Sequence, residues 1–284
     1  ALALADLHQR WTQIKHDASL VGGSLPLQAE ATLLSRLKVG ESLLIQIPDS
    51  TDQPEYAVRK IDALADLATR RGRIAYSAEA QRLEEAFTYW NEAKKLYQRA
   101  SQTAADLNQR YNERNRGLLQ FTLANGLRKA NRLDEALVQS EAYINLCRVL
   151  RSQQNTPTAQ RDLAKGLILG FLSRRSLAES TGDTTTVEAL QTESRLLLDE
   201  AMMISKELHQ GDPEDVRSLE LWAESHYNFC LLQFDRGQYE AASASSQELI
   251  THVRSENRRG VQNRRTTSIL KSAIDLQEMS NDRQ

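Results

Sequence analysis

Apolar and small residues spaced three and four apart constrain this chain more than any other feature. That spacing puts them on one face of an α-helix and leaves no alternating face for a strand. Leu133, Ala136, Leu137, Ser140, Ile144, Cys147 and Leu150 form one such stripe. The pattern returns at Val187, Leu190, Ser194, Leu197, Leu198, Ala201, Ser205 and Leu208, and again at Val216, Leu219, Ala223, Tyr227, Cys230, Leu231 and Phe234.

Helix-end chemistry falls between the stripes. Asn155-Thr156-Pro157 and Asp212-Pro213-Glu214 each set an acceptor side chain before a proline, which suits a first helical turn because the missing N–H has no partner there anyway. Gly182-Asp183 and Gly237-Gln238 mark tight turns. The spacing predicts helices near 3–20, 26–47, 54–71, 76–112, 115–130, 133–152, 157–179, 185–209, 213–236, 238–256 and 261–280. Short connections make sequence neighbours antiparallel. No proline or glycine interrupts the stretch between Tyr76 and Arg116, so it reads as one long helix or as a pair with a hidden break. Gly22-Gly23-Ser24 and Ile47-Pro48-Asp49-Ser50 are the expected flexible points before it.

Five prolines and twelve glycines are too few for the frequent turns of a sandwich or barrel. At 284 residues the chain exceeds one ordinary core, which leaves two domains or an elongated array. The expected division is an N-terminal helical region over 1–112, repeated hairpins over 113–256, and a capping helix or basic tail over 257–284.

Two segments align at an offset of 106 residues, Asn131-Arg132-Leu133-Asp134-Glu135-Ala136 with Gly237-Gln238-Tyr239-Glu240-Ala241-Ala242. The same offset matches Leu123-Ala124 with Phe229-Cys230, and Ile144 with Ile250. These residues resemble the tetratricopeptide repeat family: a large then a small residue in the first helix, a Gly-x-Tyr-x-x-Ala turn, and apolar residues in the second. Leu169-Gly170 takes the large-small place in a middle hairpin, whose turn departs from the pattern at Gly182-Asp183-Thr184-Thr185-Thr186. The resemblance covers roughly 115–256 and is similar to long-period bacterial arrays. It implies an all-α, right-handed stack of antiparallel hairpins, a solenoid that binds protein or peptide through its concave groove.

In the family register the groove residues are Phe121, Asn125, Arg128, Lys129, Leu167, Phe171, Arg174 and Arg175. The dibasic pairs would stack into a basic ladder for an acidic or phosphorylated segment. Asn125 falls on an asparagine position of the family's carboxylate clamp, but Phe121 stands where the clamp lysine would be, which disfavours a C-terminal carboxylate ligand.

No phosphate-binding glycine loop, zinc-protease or nucleophile-elbow string occurs. The five histidines, His8, His16, His209, His226 and His252, are scattered, and none has a cysteine, aspartate or second histidine at metal-ligand spacing on one helical face. No metal, cofactor or catalytic residue is therefore expected. Cys147 and Cys230 lie on apolar stripes as inert thiols, and so few cysteines suit a reducing, cytoplasmic compartment. No apolar run reaches the length of a membrane span.

Trp11 falls on an apolar stripe, and Trp90 is either core or an exposed anchor. Arg254, Arg258, Arg259, Arg264 and Arg265 bracket Gly260 as a disordered or loosely helical linker. Nucleic-acid binding there lacks interleaved aromatics and is opposed by a net charge of −2. The chain opens at Ala1 without a methionine and reads as a fragment or processed product. The expected function is an adaptor or regulatory module of a larger signalling protein. The alternative is a regulatory piece of a kinase, a protease or a nucleic-acid-associated protein whose active domain lies elsewhere.

Overall fold

A computed structural model describes residues 2–5, 9, 12, 25–47, 54–78, 82–107, 113–261 and 263–283, without the side chains of Pro54 and Glu55. Trp11, His8, His16, most of the expected helix near 3–20, Gly22-Gly23-Ser24 and Pro48-Asp49-Ser50 lie outside these. The described residues form helices α1 (Leu27–Ile45), α2 (Pro54–Ser77), α3 (Leu83–Asp106), α4 (Arg114–Lys129), α5 (Leu133–Gln153), α6 (Pro157–Ser180), α7 (Thr184–Gly211), α8 (Val216–Asp235), α9 (Tyr239–Arg258) and α10 (Arg264–Arg283). Among them the only β-type pairing is an isolated bridge between Leu25 and Ala78. None of these helices is long and apolar enough to cross a membrane.

The chain divides into two compact units, Ala1–Arg132 and Leu133–Gln284. The first expected boundary, after residue 112, thus falls inside the first unit.

In the first unit the stretch expected as one long helix or a pair with a hidden break holds one continuous helix, α3, and the break falls near its start. The chain leaves α2 at Ser77 and enters α3 at Leu83, with the Arg82 amide donating to the Ala75 carbonyl across the turn. The break lets α3 run antiparallel to α2. Trp90 Nε1 donates to the Thr69 carbonyl at 3.3 Å and Tyr97 Oη to Asp66 Oδ1 at 2.5 Å, so later residues of α3 meet earlier residues of α2. Trp90 is 0% exposed, which settles it as core. It sits between two helical glycines: a Cβ on Gly72 of α2 would fall inside the indole, and one on Gly126 of α4 would stand 2.5 Å from Cζ3. Phe87 meets its ring edge-on and Tyr76 tilts against it, both with centroids 5.6 Å away. Leu33, Leu37 and Leu44 of α1 join Leu67 and Ile74 of α2 in the neighbouring core.

In the second unit each helix packs on the next, and α8 also contacts α6 and α10. Gly166 and Gly170, one turn apart on α6, admit α5 closely: an added Cβ would meet Tyr143 at 3.2 Å and Ile144 at 2.7 Å. Thr156 caps α6 by accepting from the Ala159 amide at 3.2 Å, as its place before Pro157 predicts. Gly182 lies in the open connection to α7, with nothing within 4 Å of a Cβ placed on it, and Asp183 caps α7 by accepting from the Thr186 amide at 3.0 Å. Helix α8 starts at Val216 rather than near 213. Asp215, not Asp212, provides its cap, accepting from the Arg217 amide and the Ser218 hydroxyl, while the Asp215 amide donates back to the Asp212 carbonyl. Around Gly260 the described residues of the expected basic linker include the end of α9 and the start of α10. Gly260 ends α9 at φ 87°, and Asn263 and Thr266 exchange side-chain to backbone hydrogen bonds at the start of α10. Helix α10 packs on α8 and α9 through Ile269 and Ala273.

The residues paired by the 106 offset share backbone geometry. Asn131 and Gly237 both adopt left-handed φ, 57° and 71°. Arg132 and Gln238 both donate backward to the carbonyls of Leu127 and Gln233 at 2.9 Å, while Asn131 and Gly237 donate to Arg128 and Phe234 at 3.1 and 2.9 Å. Both are Schellman closures, in which a left-handed residue after the helix lets two amides satisfy its last carbonyls. Asn131 can replace glycine because asparagine tolerates that region.

Ala136 and Ala242, also paired by the offset, are fully buried. Replacing either with leucine adds methylenes where no space exists and is expected to cost about 1–3 kcal/mol. Thermal or urea unfolding checks this, and a transition equal to the parent's would refute the packing assignment.

Candidate functional site

The eight groove residues expected from sequence fall four in each unit. In the first unit, Phe121, Asn125 and Arg128 of α4 are half-buried and Lys129 is exposed. Asn125 Nδ2 donates back to the Phe121 carbonyl at 3.1 Å, and the Lys129 ammonium lies 4.6 Å from the centroid of the Tyr76 ring.

In the second unit the expectation needs correction. Leu167 and Phe171 are 0% exposed and belong to the core, Phe171 packing with Leu198 and Leu232. Helix α6 has neighbours in α5, α7 and α8, so its apolar residues are buried nearly all round and do not offer a free groove face. Arg174 is itself buried and donates to Glu193 of α7 and Glu141 of α5, both at 2.8 Å. Arg175 holds Asp235 of α8 by two hydrogen bonds, of 2.6 and 3.2 Å, and pairs with Glu179. These guanidinium groups fasten helices together. They do not form a free basic ladder.

A pocket does open among α6, α7 and α8. Phe171, Leu232 and Val187 supply apolar lining, Ala178 and Gln191 flank it, and Arg175 with Asp235 and Glu179 supplies its charge. Two carboxylates against one guanidinium leave this lining net acidic.

A second group of polar residues gathers elsewhere in the same unit. His209 from the last turn of α7 meets His252 of α9 with their Nε2 atoms 3.2 Å apart. Glu256 lies one helical turn beyond His252, and one ligand atom from each of the three residues lies within 4.8 Å of the others. Arg259 donates to both oxygens of Glu256 at 3.1 Å and to Glu214 at 3.0 Å. Trp222 of α8 covers this group, its ring centroid 4.2 Å from that of His252 and 5.0 Å from that of His226. Single helical faces carry no trace of this set in cysteine, aspartate or a second histidine, because its histidines come from different helices. Only the His252–Glu256 spacing is a local signal. The other acidic partners are also distant in sequence: Arg265 pairs with Glu224 at 2.6 Å, so the arginine-rich segment is partly neutralised.

Burial is the largest influence on the proton affinities of Cys230 and His226. It pushes the Cys230 thiol up to about 12, which keeps it protonated and unreactive. It is also the largest influence on His226, whose value is lowered; Glu248 and a backbone hydrogen bond with Ser245 oppose the lowering and His252 adds to it. The unfolded chain then binds a proton that the native state resists. The stabilisation is complete above the ordinary histidine value near 6.5 and is lost as pH falls through the lower folded value. Thermal unfolding is therefore expected to move to lower temperature between about pH 7 and pH 5. Replacing His226 with glutamine should reduce that slope, the remainder coming from His209, whose value burial also lowers; an unchanged slope would refute the assignment.

No protein-family model matches this chain, and no curated protein matches it.

Proposed function

We infer that the chain is a non-catalytic scaffold for protein–protein interaction, built from tetratricopeptide-like hairpins stacked in a right-handed array, and that it serves as an adaptor or regulatory module in signalling. The observation that supports this reading is the repeated helix closure at Asn131 and Gly237, with the same pattern of donated amides 106 residues apart and a buried alanine at each equivalent position. In the second unit each helix packs on the next, and stacking of neighbouring helices is the building principle of such arrays.

The pocket among α6, α7 and α8 is the proposed contact point for a partner's side chain. Its net acidic lining, together with the engagement of Arg174 and Arg175 by carboxylates, removes the main support for an acidic or phosphorylated ligand at this position. The nucleic-acid alternative loses support in the same way, since Arg259 and Arg265 face Glu214, Glu256 and Glu224.

Capture of partners from the source organism by the full chain tests the proposal, with Ala178→Trp as the comparison. Tryptophan at this lining position should abolish recovery of the parent's partners without altering the melting transition. Recovery of the same partners by both proteins would rule out this pocket as the contact point.

A further inference from the structure

We propose that His209, His252 and Glu256 form a binding site for a divalent transition metal, with zinc as its typical occupant. Two imidazole nitrogens on one tetrahedral zinc, each at about 2.0–2.1 Å, stand about 3.3 Å apart. The Nε2 atoms of His209 and His252 are 3.2 Å apart. The third ligand atom lies within 4.8 Å of both, so the Glu256 carboxylate has to move closer when a metal binds. Two nitrogens and one carboxylate oxygen select zinc, cobalt, nickel or copper over magnesium and calcium, which take oxygen shells.

The surroundings support the same assignment. His209 and Glu256 are 7% and 6% exposed, so the donors are held within the fold. His252 and Glu256 share one face of α9, and the Trp222 ring restricts how His252 can turn. Three protein ligands leave a fourth position for water or a donor from a partner, as open zinc sites do. Arg259, now bound to both Glu256 oxygens, competes with the metal for the carboxylate. The competing interpretation is a simple hydrogen bond from one imidazole to the other, which the same separation also accommodates.

Titration calorimetry of the chelator-treated full chain with zinc separates the two. The expected result is one equivalent bound, with affinity lowered at least about 100-fold in His252→Asn and in Glu256→Gln. Arg259→Gln should bind more tightly than the parent, because it removes the competing cation; this variant keeps both histidines and the carboxylate. Cobalt in the parent should give the strong visible absorption of a tetrahedral site containing nitrogen ligands, a measurement that needs no variant to fold. Absence of stoichiometric binding in the parent overturns the proposal and leaves a hydrogen-bonded histidine pair. Equal binding by parent and His252→Asn also overturns it, since the metal would then be held elsewhere.

Discussion

Trp90→Ala is expected to destabilise the first unit by about 3–5 kcal/mol, the range for removing a buried aromatic side chain. The indole is fully enclosed, and its one polar atom is satisfied by the Thr69 carbonyl. Truncation removes contacts to α2 and α4 together and leaves a cavity that two helical backbones border. The glycines make this a sharper test. Gly72→Ala in the parent drives a methyl group into the ring and should cost about 1–3 kcal/mol. In the Trp90→Ala background the methyl group enters the vacated space, and alanine's better helix propensity, worth about 1 kcal/mol over glycine, makes the same change favourable. Chemical denaturation of the two single variants and the double variant measures the reversal. Additive costs would show that Gly72 and Trp90 do not share this space.

Arg174→Glu is expected to cost the second unit about 3–5 kcal/mol. The guanidinium is 8% exposed as a residue and joins Glu141 of α5 to Glu193 of α7 from its position on α6. Reversal buries a carboxylate against two others. Arg174→Met should be far milder, about 1 kcal/mol, because the side chains of Glu141 and Glu193 are 47% and 58% exposed and can rehydrate. Circular dichroism of both variants across temperature distinguishes these outcomes. The sequence reading sets Arg174 in a free groove ladder; its bridging of three helices is the reason to expect reversal to disrupt the unit.

That difference shows what was legible. Helix existence follows from local spacing and from caps such as Thr156 and Asp183, so most segments emerge near their expected limits. The break between Ser77 and Leu83 carries no proline or glycine. It is stabilised by contacts of Trp90 and Tyr97 with α2, which sequence spacing alone does not reveal. Near Pro213, two aspartates compete to cap one helix, and Asp215 also pairs with Arg161 of α6 at 3.0 Å.

The candidate sites were less legible for a related reason. The apolar run Gly166-Leu167-Ile168-Leu169-Gly170-Phe171 signals a helix buried on several sides, a feature that a one-groove family register overlooks. The histidine group depends on α7 and α9 approaching at particular turns, and a property of that packing has no sequence period. By contrast, the Asn131 closure was readable because left-handed backbone restricts residue choice at one position.

The connection through Gly182 offers a place to lengthen the polypeptide. Space surrounds this glycine, while the hydrogen bonds that start α7 begin at Asp183. A flexible insertion placed before Asp183 would retain the cap and add only the slowly growing entropy of a longer loop. This junction could therefore carry an epitope or a fluorescent reporter while α6 and α7 keep their existing interface.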